Sequence, residues 1–125
     1  MLSALIGIAI QEEQPEDVSR WHALLPETYG NDSLHDDAAE AMHRSFPERS
    51  VKIWKRLAEN SIARTTKSVY MEAGVYLRKI QKVMHARGAQ TEWLHYAEVL
   101  RGQHFRKKRF LEVLDSMDGK PLLRI

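Results

Sequence analysis

Two Glu-x-x-His pairs, Glu40-x-x-His43 and Glu92-x-x-His95, are the residues of this sequence whose spacing could do the most specific chemistry. Three positions apart on a helix, a carboxylate and an imidazole share one face, and four-helix bundles that hold two iron ions use two such pairs with two further glutamates. Glu16, and Glu59 or Glu72, stand in the right chain order to complete such a set. Frequency argues the other way. With 11 glutamates and 6 histidines among 125 residues, roughly half a pair arises by chance, and the segment bearing Glu40 and His43 is short for a metal-holding bundle. The expectation is no metal and no cofactor, with these histidines on the surface or at helix ends. The chain has no cysteine, which removes disulfides, thiolate zinc ligands and a thiol nucleophile. It also lacks a Gly-x-Ser-x-Gly elbow and a glycine-rich phosphate loop, so a non-enzymatic role is expected.

Charge offers a second kind of chemistry. Residues 1–50 carry 3 basic and 10 acidic side chains, whereas residues 51–125 carry 16 basic and 7 acidic. Either the two halves attract each other or solvate their own faces, or the basic half meets an acidic partner. The densest positive run is Gln103 to Phe110, with Arg106, Lys107, Lys108 and Arg109 in succession and Arg101 just before it. Consecutive cations fan around more than one helical face, and Phe105 and Phe110 are spaced to anchor that helix rather than to offer a stacking platform. The candidate partner-binding residues are Arg78, Lys79, Lys82, Arg101, Arg106, Lys107, Lys108 and Arg109, together with Tyr70, Tyr76 and Tyr96, whose rings and hydroxyls suit a peptide groove as well as a core. The expected partner is an acidic protein; nucleic acid, held by the same cations, is the alternative.

The elements that position these residues read as helices throughout. Leu2 to Ile10 is apolar but far shorter than the roughly 20 residues a bilayer span needs, and it lacks the basic start of a signal peptide. It reads as a helix packed on the next, with no membrane role and a cytoplasmic setting. Pro15 to Leu25 places Val18, Trp21, Leu24 and Leu25 on one face, ahead of a turn over Glu27 to Ser33. Ser33, three before Asp36, has capping spacing for a helix over Leu34 to Ser45. Pro47 suits the first turn of another, which runs to a polar break at Arg64-Thr65-Thr66. Lys67 to Arg87 has the widest apolar face and ends at Gly88, a residue suited to a left-handed cap. Thr91 is placed to cap a helix with Trp93, Leu94, Tyr96, Ala97 and Leu100 on its face, ended or bent at Gly102. A last helix spans Phe105 to Met117, and a turn at Asp118-Gly119-Lys120-Pro121 leads to the tail.

Three tryptophans open a common pattern: Trp21-x-x-Leu24-Leu25, Trp54-x-x-Leu57-Ala58 and Trp93-x-x-Tyr96-Ala97, 33 and 39 residues apart. That period is typical of stacked helical hairpins, with the tryptophans as buried seams and Trp21 the weakest member. Trp54, Leu57 and Ala58, then Ala73, Tyr76 and Leu77, resemble a tetratricopeptide-like helix pair with a longer loop. A run over residues 67–116, about 40% of the chain, is similar to the C-terminal helical region of bacterial SWIM zinc-finger proteins. Its residues are Tyr70-x-x-Ala73-x-x-Tyr76-Leu77, Gly88, Glu92-Trp93-x-x-Tyr96, and Leu100-Arg101-x-x-His104-x-Arg106-Lys107-x-Arg109-x-Leu111. The family's Cys-x-Cys and Cys-x-His zinc motif is missing, so neither zinc nor a role of that motif carries over. The resemblance implies a helical module that accompanies a recognition domain and makes protein contacts.

These readings give an all-α, tetratricopeptide-like stack of six or seven helices, with residues 1–117 as one helical-repeat domain and 118–125 as a tail. The abrupt apolar start suggests the C-terminal part of a larger protein. The expected function is protein interaction or scaffolding.

Overall fold

The computed structural model describes residues 1–26, 30–64 and 67–117, and the side chains of all of these but 67–70. Among the described residues there are seven helices and no strand: α1 (Leu2–Gln11), α2 (Pro15–Ala23), α3 (Asp32–Met42), α4 (Pro47–Ala63), α5 (Lys67–Ala86), α6 (Gln90–Gln103) and α7 (Lys108–Met117). The chain is all-α, as its periodicity predicts. It divides into two compact units, Met1–Trp54 and the residues from Lys55 onward.

In the first unit α1, α2 and α3 pack on one another. Ile6 and Ala9 of α1, Val18 of α2, and Ala38, Ala39 and Met42 of α3 are buried, with Val51, Ile53 and Trp54 from the start of α4. Small side chains at 38 and 39 leave the α3 backbone open to a neighbour, and the Ser50 hydroxyl donates to the Ala39 carbonyl over 2.7 Å. Arg49 donates to the Ser19 hydroxyl (2.8 Å) and the Trp54 indole N–H to the Asp36 carboxylate (2.8 Å). Polar groups that enter this core are thus satisfied by specific partners, without which each costs about 1–3 kcal/mol.

A buried histidine pair joins α2 to α3. His22 Nε2 and His35 Nδ1 lie 2.9 Å apart, with the rings edge to face at 5.1 Å. One nitrogen must donate and the other accept, which fixes complementary tautomers across the contact. The pair turns α2 so that Ser19 and His22 are buried with Val18; of the expected face, Val18 and Leu25 are buried and Trp21 and Leu24 are not. Trp21 is half-buried under the Arg20 guanidinium at 4.6 Å, and Leu24 is 60% exposed. Trp54 and Trp93, by contrast, are each 1% exposed. The tryptophan pattern therefore marks a buried face in two of its three occurrences.

In the second unit α5 packs on both α6 and α7. Ala73, Leu77, Ile80 and Met84 form its buried face, against Trp93, Ala97 and Leu100 of α6 and Phe110, Leu114 and Met117 of α7 among the core residues. A Cβ on Gly74 would come within 2.9 Å of Val113 Cγ1, so α5 approaches α7 closely there. Gln81 donates to the last carbonyl of α7, that of Met117, over 2.9 Å.

Helix ends correct several expectations. Asn31, not Ser33, caps α3, its side chain accepting from Leu34 N–H at 2.9 Å, which leaves Ser33 inside the first turn. Thr91 lies inside α6, whose N-cap is Ala89 with no side-chain cap bond. Leu94 is 56% exposed, off the buried face of that helix. The last helix starts at Lys108, three residues later than expected. The break at residues 65–66, the turn at 118–121, the tail and part of the Glu27 to Ser33 turn fall outside the described residues.

Two helices end alike with different residues. At the end of α5, Gly88 N–H bonds His85 O (3.1 Å) and Ala89 N–H bonds Met84 O (2.8 Å), with Gly88 at φ +72°. At the end of α1, Glu13 N–H bonds Ile10 O (3.1 Å) and Gln14 N–H bonds Ala9 O (2.9 Å), with Glu13 at φ 54°. Both are paired-carbonyl caps that require a left-handed residue, which costs a non-glycine about 1 kcal/mol. Nothing lies within 4 Å of a Cβ at Gly88, so the backbone alone sets its preference. Gly88→Ala is expected to lower stability by about 1 kcal/mol and Glu13→Gly to raise it by a similar amount, as read by urea unfolding.

Candidate partner-binding surface

The basic residues of the second unit do two different jobs. Arg101, near the end of α6, is half-buried, bonding the Asp115 carboxylate of α7 and lying 3.5 Å from Glu98. Lys107 points inward and donates Nζ to the Ile62 carbonyl over 2.7 Å. Ile62 is one residue from the end of α4, where carbonyls lack a partner in their own helix and the helix dipole is negative, so an ammonium is doubly favourable. Lys79 is half-buried with a partner inside the chain. Arg101 and Lys107 are internal ties.

Arg78, Lys82, Arg106, Lys108 and Arg109 are exposed. Among the described residues Lys108 and Arg109 make no ion pair, and Arg106 lies over the Phe105 ring at 5.4 Å. Phe105 is 64% exposed, while Phe110 is fully buried. Only one of the two phenylalanines anchors α7; the other tips the α6–α7 connection and displays its ring.

The connection that carries this tip is held from beneath. Lys107 N–H bonds the His104 carbonyl over 2.9 Å, closing the turn, and His104 packs edge-on against Phe110 at 5.6 Å. Burial and then the nearby Lys107 charge push His104 below its ordinary pKa of 6.5, opposed by Glu59. The result is a pinned corner with one exposed aromatic ring and three outward cations.

Tyr96 is half-buried, donating its hydroxyl to Glu59 at 2.8 Å, with the Lys55 ammonium over its ring at 4.4 Å. Burial, then the hydrogen bond and charge of Glu59, push its phenol far above the ordinary 10.0, so it remains a donor. It lines an open groove of about 440 Å³ with Lys55, Met84, His95 and Val99. Tyr76 is half-buried and has a partner within the chain. The Tyr70 side chain lies outside the described residues.

The Glu-x-x-His pairs fall in separate units. Glu40 and His43 border an open groove of about 730 Å³ in the first, together with Glu13 and Asp37, and His43 lies 6.4 Å from the Trp54 ring. Glu92 and His95 border the groove beside Tyr96. Glu59 accepts from Tyr96, and Glu72 lies 3.9 Å from Arg64. Among the described residues no three His, Cys, Asp or Glu side chains converge as a metal would need. No described helix is long and apolar enough to cross a membrane.

Fold and surface define an all-α chain that presents a basic, aromatic-tipped corner. Comparison with protein-family models, with curated proteins and with solved structures finds no match.

Two predictions separate the internal from the outward groups. Lys107→Met is expected to lower stability by about 1–2 kcal/mol, because it removes a charge-assisted bond, while Lys108→Met changes it by less than about 0.5 kcal/mol; paired thermal melts measure both. For His104 the folded pKa lies below the unfolded one, so its contribution is present above pH 6.5 and is lost as pH falls through that value toward the folded pKa. Melting temperature should therefore fall more steeply between pH 7.5 and 5.5 in the natural chain than in His104→Gln, the difference between the two profiles being the readout.

Proposed function

We propose that this chain is a non-enzymatic helical-repeat module for protein interaction or scaffolding, and that its partner is acidic. The observation that carries this is the division of cations: with Arg101 and Lys107 engaged as internal ties, Arg106, Lys108 and Arg109 still face outward beside an exposed Phe105. Exposed aromatic rings and arginines are enriched among the residues that dominate protein interfaces. Cations on a pinned loop also need little ordering when a partner arrives. The all-α packing of neighbouring helices, with the resemblance in sequence to tetratricopeptide-like pairs and to the C-terminal region of SWIM zinc-finger proteins, supports reading it as a cytoplasmic module that accompanies a recognition domain.

Nucleic acid is the second reading, favoured by one feature: a ring as exposed as Phe105, with a stacked guanidinium, can also receive a base. Fluorescence anisotropy with labelled poly-glutamate, single-stranded RNA and single-stranded DNA, at about 50 and about 300 mM salt, separates the two. Poly-glutamate should bind at low salt and lose at least fivefold in affinity in the triple variant Arg106→Gln, Lys108→Gln, Arg109→Gln. Binding of RNA or DNA with none of poly-glutamate reverses the assignment, and no binding of any polyanion removes both readings. Lys107 is left intact in the variant because its loss would confuse binding with folding.

A further inference from the structure

α5 carries an exposed row opposite its buried face. Met71 and Val75 are 65% and 47% exposed, and Arg78 and Lys82 are exposed after them. Positions 71, 75, 78 and 82 follow the i, i+4, i+7, i+11 spacing that keeps side chains on one side of a helix. Ala73, Leu77, Ile80 and Met84 lie on the other side and are buried. The row is about 16 Å long at 1.5 Å per residue, with an apolar half and a cationic half.

No other described helix offers this combination. Leu94 and Val99 of α6 are also exposed, but five residues apart they face different directions; Ile8 stands singly on α1, and Leu24 caps the end of α2. Lys79, one turn from Val75, is half-buried and has a partner within the chain. The 15 basic and 7 acidic residues from Lys55 onward, net +8, set the sign of the surroundings.

We propose that this row docks an acidic amphipathic helix of a partner protein. Two large apolar side chains of that helix, four residues apart, lie on Met71 and Val75, and its carboxylates one and two turns further on meet Arg78 and Lys82. Methionine suits such a contact because its unbranched chain adapts to the partner. The charge pair gives orientation and a salt-dependent on-rate, and the apolar pair gives the residence time. A contact this small belongs to the weak, transient class, with a Kd on the order of micromolar. The inference rests on the acidic-partner reading and narrows it from any polyanion to a patterned helix.

The test uses the full chain and three labelled peptides: one of about 18 residues that can form a helix, with two leucines four apart and glutamates on the same face; a scramble of it; and poly-glutamate. The patterned peptide should bind about tenfold more tightly than the scramble, a difference of about 1.4 kcal/mol. Met71→Ser with Val75→Ser, both at exposed positions, should erase that preference while poly-glutamate binding and the melting temperature hold. Met71→Leu with Val75→Leu should retain it, and Arg78→Gln with Lys82→Gln should weaken the patterned peptide at least fivefold. Equal binding of patterned and scrambled peptides, with poly-glutamate still bound, overturns the row alone. Failure of every peptide overturns it together with the acidic-partner reading. Concentration-dependent self-association of the natural chain, abolished by the double serine variant, also overturns the proposal, because the occupant is then a second copy.

Discussion

A single ammonium, that of Lys107, sets what the basic end of this protein can do. Its bond to the Ile62 carbonyl fixes the α6–α7 connection on the end of α4. With the turn thus held, the neighbouring side chains are sorted by position: His104 goes inward against Phe110, while Phe105 and Arg106 go outward. A lysine free in solvent would leave that loop to sample many arrangements, and its cations would have to be ordered at each encounter. The same physical device recurs at smaller scale elsewhere. Arg101 ties α6 to α7 through Asp115, and Arg49 ties α4 to α2 through Ser19. Charge in this chain is therefore not one surface property. Part of it is structural, and Arg106, Lys108 and Arg109 stay exposed.

The first unit is stabilised differently. Its helices are short, and its core includes Ser19, His22, His35 and Ser50 beside aliphatic residues. Directional bonds select one register there: the histidine pair aligns α2 with α3, and the Ser50 and Trp54 donors align α4 with α3. The second unit relies on a wider apolar face on α5 and on the close approach that Gly74 permits to α7. Both routes reach a helical core, one through polar complementarity and one through apolar area.

The sequence made the helices legible because their signals are local. The apolar spacing of Ala73, Leu77, Ile80 and Met84, the proline at 47 and the glycine at 88 each act within a turn or two, and the structure follows them closely. Caps were less legible, since Asn31 and Ser33 are both good candidates two residues apart and only the entry path of the chain chooses between them. Long-range pairs were not legible at all. His22 with His35, Lys107 with Ile62 and Arg101 with Asp115 are separated by 13, 45 and 14 residues, and no local pattern announces them. That is why a string of cations read as one surface, and why Phe105 read as an anchor. The exposed row on α5 was present in the spacing of Met71, Val75, Arg78 and Lys82, yet only burial showed that the opposite side of the helix is the core.

The central claim is that the outward cations and their apolar neighbours, rather than the internal ties, meet an acidic partner. Amide chemical-shift mapping of the isotopically labelled chain, titrated with an acidic helical peptide at low and high salt, tests it most directly. The account predicts salt-sensitive shifts concentrated at Phe105 to Arg109 and along the Met71 to Lys82 row, with residues 1–54 unmoved. Shifts centred in the first unit, or none at a saturating peptide concentration, would contradict it.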